Sequence, residues 1–174
     1  VLAMLQARIG RLDSGARRAV RAAAVFGQTF WQGGVATLLG LPTDDAEVKA
    51  SLAAMVHAEL VQPHTSSRFA KESEYGFRHA LVRDAAYSLL LATDLASGHR
   101  AAGEFLEAAG EPDAAVIAEH FERGGDKPRA AVFFLRAAEN NLDRGDNLGA
   151  LRQVERGLLS SPSFETEGQL RGLE

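Results

Sequence analysis

Apolar side chains recur at Leu2, Leu5, Ile9 and Leu12, the spacing of one helical face. Asp13 then offers a cap for a second helix over residues 14–26, with Ala16, Ala19, Val20 and Ala23 inward and Arg17, Arg18 and Arg21 outward. A third helical segment, residues 30–39, carries Trp31, Val35, Leu38 and Leu39 and stops at Gly40-Leu41-Pro42, although Gly33 and Gly34 weaken it. The strongest helical pattern lies at 43–60. There Asp44 and Glu47 stand at capping-box spacing, and Val48, Leu52, Met55, Val56 and Leu60 share a face.

The period then changes. Val61-Gln62-Pro63-His64 and Glu74-Tyr75-Gly76-Phe77-Arg78 alternate around a polar stretch at 65–73, the pattern of two short strands and a loop. Residues 80–92 return to helix, with Val82, Ala85, Ala86 and Leu89 as the buried stripe. Beyond a boundary at Thr93-Asp94, helices are expected over 95–109, 112–123, 128–144, 147–160 and from 164 onward, separated by Gly110-Glu111, Gly124-Gly125-Asp126, Gly145-Asp146 and Ser161-Pro162. The fold class expected is mainly α: a winged-helix domain with a small β-hairpin over residues 1–92, then antiparallel tetratricopeptide-like (TPR-like) helical hairpins over 93–174. Pro128 and Pro162 stand one tetratricopeptide period of about 34 residues apart. In that register Phe134, Ala138, Ala150 and Gly157 occupy the close-packing positions, whereas Asn141 and Val154 replace the usual tyrosine and phenylalanine.

Composition narrows the class further. Alanine fills 31 of 174 positions and Tyr plus Trp only three, which favours helix over sheet. With no cysteine, thiolate catalysis, Cys-ligated zinc and disulfides are excluded. No apolar stretch reaches the roughly 18 residues of a membrane span, and the opening residues lack a signal-peptide layout, so a cytoplasmic protein without membrane contact is expected. The chain begins at Val1 in a stretch that reads as helix and ends at Glu174 in another, as a segment of a longer protein would. Residues 1–92 carry 10 basic and 8 acidic side chains and residues 93–174 carry 9 and 15, a balance of +2 against −6 within the total of −4. Two surfaces with different partners are implied.

Known catalytic patterns are missing. There is no Gly-x-x-x-x-Gly-Lys loop to cradle phosphates, no kinase signature and no serine-hydrolase elbow. No catalytic residue is assigned, and the chain itself is not expected to be an enzyme. The histidines at 57, 64, 79, 99 and 120 show no metal-ligand spacing, so no metal site is expected. His99 and His120 sit on apolar helical faces and read as structural; His57 and His64 read as surface or hairpin residues. His79 stands where a strand end feeds a helix start, a place suited to an anion, with Arg78, Arg83 and Asp84 as supporting polar residues. The alternative is a plain polar helix face of Arg83, Asp84 and Tyr87 that His79 caps.

The run Phe-Arg-His-Ala-Leu-Val-Arg-Asp-Ala-Ala-Tyr at 77–87, with Ala-Arg-Ile-Gly-Arg-Leu-Asp at 7–13 and Arg-Ala-Ala-Ala-Val-Phe-Gly-Gln-Thr-Phe at 21–30, resembles the segment that follows the nucleotide-binding core in bacterial STAND signalling ATPases. The resemblance spans Leu2 to about Ser160. It implies an upstream P-loop domain of the same chain as a partner, with residues 1–12 ending its helical lid. It also implies ADP or ATP with Mg as cofactors of the parent, and an unknown protein or small-molecule ligand for the repeats. Such proteins are fused to serine/threonine kinase, adenylate cyclase or LuxR-type modules. Residues 79–84 are similar to the Met-His-Asp motif of plant resistance STAND proteins, which implies that His79 contacts the phosphates of ADP. Arg78 and Ala80 replace the flanking Met and Asp, so no acidic switch is expected at position 80. The function implied is a non-catalytic regulatory segment that couples a repeat sensor to nucleotide state. The rival is a transcription regulator whose winged helix binds DNA, but the expected recognition helix offers Asp44, Asp45, Lys49, Ala53 and His57. That face is too acidic for a phosphate backbone, and Arg68 and Lys71 of the wing are too few to compensate.

Overall fold

The computed structural model describes residues 2–160 and 162–173, so Ser161 of the expected Ser161-Pro162 break lies outside the described residues, as do Val1 and Glu174. Among the described residues the fold is mainly helical, with ten helices and one three-stranded antiparallel sheet. It divides into two compact units, Val1–Phe105 and Leu106–Glu174. The division falls inside a continuous helix, Ala92–Ala109, rather than at Thr93-Asp94.

The first unit opens with α1 (Leu2–Gly10) and α2 (Ser14–Phe26). Asp13 caps α2 by accepting from the Ala16 amide at 2.9 Å, and Ala16, Ala19, Val20 and Ala23 are buried as their spacing demands. The next segment departs from expectation. Thr29–Trp31 form a strand, β1, and only Gln32–Leu39 are helical, as α3. A β-branched residue and two aromatics favour extended backbone, and β1 gains a ladder partner from far along the chain. The two glycines of α3 have packing reasons. A Cβ on Gly33 would strike the Glu72 carboxylate, and one on Gly34 would lie 2.7 Å from the Phe26 ring.

Helix α4 (Ala46–His57) is capped by Asp45, whose carboxylate accepts from the Glu47 and Val48 amides at 2.8 and 3.2 Å. Asp44, one residue too early, instead pairs with Lys49. The helix also ends at His57 rather than Leu60. Glu59 turns left-handed, with φ of 53°, while Leu60 N–H bonds back to Met55 C=O and Glu59 N–H to Val56 C=O. This is a Schellman stop with glutamate where glycine is usual, so the sequence carries no stop signal.

Strands β2 (Val61–Pro63) and β3 (Glu74–Phe77) form the expected hairpin, and β1 adds to its far side in the order β1-β3-β2. The register sets Phe30 opposite Tyr75 and Val61 opposite Phe77. Phe30, Val35, Leu52, Met55, Leu60, Val61 and Phe77 meet α2 in one core. Helix α5 (Ala80–Tyr87) buries Val82, Ala85 and Ala86 and stops before Leu89, which is exposed. The first part of α6 (Ala92–Ala109) completes the unit.

In the second unit, α8 (Lys127–Asp143) packs against both α7 (Ala114–Arg123) and α9 (Asn147–Leu159), and α10 (Phe164–Arg171) closes on the last two. Left-handed Gly125 and Gly145 end one helix, and the adjacent Asp126 and Asp146 cap the next by accepting from Arg129 and Gly149 amides. Phe134, Ala138, Ala150 and Val154 are fully buried. Gly157 lets α9 close on α10, since a Cβ there would sit 2.9 Å from Leu170.

Candidate functional site

His79 occupies the N-cap position of α5 with extended backbone, φ −144° and ψ 141°, and its imidazole makes no capping hydrogen bond. It is exposed, as is Arg78, whose amide is tied to Leu60 C=O. The β3-to-α5 junction therefore presents two solvent-facing basic side chains beside the first amides of a helix, whose partial positive charge favours an anion.

Arg83 is committed elsewhere. Its Nε donates to Ala24 C=O at 3.0 Å, its guanidinium pairs with Asp84 at 3.1 Å, and the same group lies 4.5 Å from the centroid of the Tyr87 ring. Tyr87 in turn bonds His99 Nε2 at 2.7 Å, and His99 is fully buried. Arg83, Asp84 and Tyr87 thus form a polar helix face, but His79 does not cap that helix through its side chain.

Arginines that the sequence places on the surface do comparable work. Arg8 donates to Ala58 C=O at the end of α4, and Arg17 to the Gly10 and Leu12 carbonyls at the end of α1. Arg83 does the same in the last turn of α2. A guanidinium satisfies the orphan carbonyls of a helix end and complements its negative pole. Arg17 and Arg21 are accordingly half-buried, not outward; Arg18 alone of the three is exposed.

The β2–β3 loop is held by two carboxylates. Glu74 accepts from Trp31 Nε1 at 2.9 Å and from the Arg68 amide at 2.8 Å, and meets His64 Nδ1 at 2.8 Å. Burial opposes ionisation of Glu74, but these hydrogen bonds and the His64 charge outweigh it and hold the carboxyl below its ordinary value. Glu72 accepts from the Gly33 amide at 2.9 Å, capping α3 from across the sheet. Phe69 packs on Trp31, with ring centroids 4.6 Å apart.

A cleft of about 410 Å³ opens in the first unit between α2, the end of α3 and the start of α6. His79 does not line it. Arg21 and Asp94 stand on facing helices and form no ion pair with each other, and Val25, Leu38 and Ala101 supply an apolar floor. The sequence singled out neither this cleft nor the Glu72 and Glu74 contacts. The doubled glycine at 33–34, unexplained by a helix, was the one available signal. Among the described residues no three His, Asp or Glu side chains gather as metal ligands do, and no helix is long and apolar enough to cross a membrane. No family model matches the chain, and no curated protein or solved structure matches it either.

Proposed function

We propose that this chain is a non-catalytic regulatory segment of a STAND-type signalling ATPase. In this reading the first unit is a winged helix, the second a TPR-like sensor, and His79 contacts the phosphates of ADP held by an upstream domain. The observation that carries it is the exposed imidazole of His79 at the start of α5, which makes no capping hydrogen bond. The order α2-β1-α3-α4-β2-β3, with β1 completing the hairpin, supports the winged helix. Glycine-to-aspartate turns between α7, α8 and α9, with Gly157 and Phe134 in contact, support the repeat.

His79 and Arg78 fit one phosphate contact; Arg83, bonded to Ala24, adds little to it. One charge-assisted hydrogen bond contributes on the order of 1.5–3 kcal/mol, enough to bias a switch and far too little to drive hydrolysis. Nucleotide chemistry and Mg belong, in this reading, to the upstream domain, and kinase, cyclase or DNA-binding effectors to other parts of the parent. Its partners are that domain and an unidentified ligand of the repeats.

In a parent carrying the nucleotide domain, His79→Ala is expected to weaken ADP binding about tenfold and raise basal output. Unchanged ADP affinity and output, with an unchanged melting temperature, reduce His79 to a helix-start residue. The DNA-binding rival predicts a fluorescence-anisotropy shift on duplex that falls steeply with salt. None is expected, because Lys49 is paired with Asp44 and Arg18 faces Glu47 at 4.0 Å on the α4 side.

A further inference from the structure

The cleft between α2, α3 and α6 has three chemically different walls. On α2, Arg21 is held by its Nε–H bond to Arg17 C=O at 3.1 Å, which leaves its two terminal nitrogens without an ion-pair partner among the described residues. Arg18, one turn earlier, is engaged only by the 4.0 Å approach of Glu47. On α6, the Asp94 carboxylate has no cation within pairing distance among the described residues, although it lines the same cavity. The third wall is the last turn of α3, where Gly40, left-handed at φ 69°, ends the helix and lines the cavity together with Leu38 and Leu39. A helix C-terminus carries partial negative charge and favours a cation.

Opposite charges that share a cavity without neutralising each other leave room for a group between them. The cavity therefore offers a guanidinium pair on one side, and a carboxylate with a helix C-terminus on the other. Its base is apolar. Val25 and Leu38 approach Gly98, where an added Cβ would stand 3.4 and 3.9 Å from their methyl groups, so the absence of a side chain at 98 deepens the floor. A carboxylate suits Arg21, an ammonium suits Asp94, and an aliphatic side chain suits the floor. The volume of about 410 Å³ holds a ligand of one or two residues.

We propose that this cleft binds a small zwitterion with an apolar side chain, either a free aliphatic amino acid or a dipeptide of such residues. The site stands apart from His79 and does not depend on the function proposed above.

The test is calorimetric titration of the 174-residue chain with L-leucine, L-leucyl-L-leucine, 4-methylpentanoate and isoamylamine. One of the two zwitterions is expected to bind with Kd below about 1 mM, and the lone acid and lone amine at least tenfold more weakly. Arg21→Met and Asp94→Asn should each cost about tenfold in affinity, while Arg21→Lys retains most of it. Melting temperatures identify any variant that has lost its fold, in which case Arg18→Met replaces Arg21→Met. Preference between leucine and the dipeptide assigns the source. Absence of heat with both zwitterions, equal binding of 4-methylpentanoate, or binding unaltered in both charge variants overturns the proposal.

Discussion

The two units solve the same problem, ending one helix and beginning the next, by different means. In the second unit the solution is local: a left-handed glycine stops a helix and the aspartate beside it caps the following one, as at Gly125-Asp126 and Gly145-Asp146. In the first unit local caps such as Asp13 and Asp45 are supplemented by remote ones. Arg8 closes α4 across 50 positions, Arg83 closes α2 across 59, and Glu72 opens α3 across 39. Local capping lets a segment form wherever its neighbours are helical, whereas remote capping makes each helix end conditional on the assembled fold.

The contrast is sharpest at Glu74, which joins β1, β3 and the loop. Glu74→Ala should cost about 1–3 kcal/mol, because it leaves Trp31 Nε1 and the Arg68 amide without their acceptor. Amide exchange should show the loss across the whole sheet rather than at one position. The pH dependence has a defined sign. Because the folded-state pKa is depressed below 4.5, the contribution of Glu74 is complete above that value and is lost as pH falls through the depressed one. An acid titration of stability should show this component in the parent sequence and not in Glu74→Gln.

Asp146→Ala tests the local case. A cap of this kind is worth about 1 kcal/mol, and the expected result is faster exchange confined to the first turn of α9. Exchange spreading through α8 would show that local capping is not local in effect.

The smallest expected change is a gain. Glu59 holds a left-handed conformation that costs an L-residue about 1–2 kcal/mol, and glycine recovers part of that against its own unfolded-state entropy. Glu59→Gly should raise stability by about 0.5 kcal/mol by chemical denaturation, since the exposed 3.8 Å approach to Arg8 contributes little.

The same division governs what the amino-acid order reveals. The helices at 14–26, 128–144 and 147–160 are readable to within a residue or two because their periodicity, caps and stops lie inside or beside them. The hairpin is readable for the same reason, from alternation flanking a polar loop. Strand β1 is not, since three residues carry too little pattern and its partner is 43 to 47 positions away. The α4 boundaries shift because Asp44 and Asp45 are equivalent cap candidates in sequence and Glu59 disguises the stop. Among the site residues, the exposure of Arg78 and His79 follows from their place at a strand-to-helix turn, while the commitment of Arg83 to Ala24 depends on two helices meeting and has no local signature.

The indole of Trp31, boxed by Phe26, Phe69 and Phe105 and bonded to Glu74, has an optical consequence. It is the sole tryptophan, and the two tyrosines are Tyr75 and Tyr87, so every strong near-ultraviolet chromophore lies before residue 106. Emission and 280 nm absorbance therefore follow the first unit only. A fragment comprising residues 106–174 would pass through a chromatography detector set to that wavelength almost unseen, and its folding would have to be followed by backbone signals.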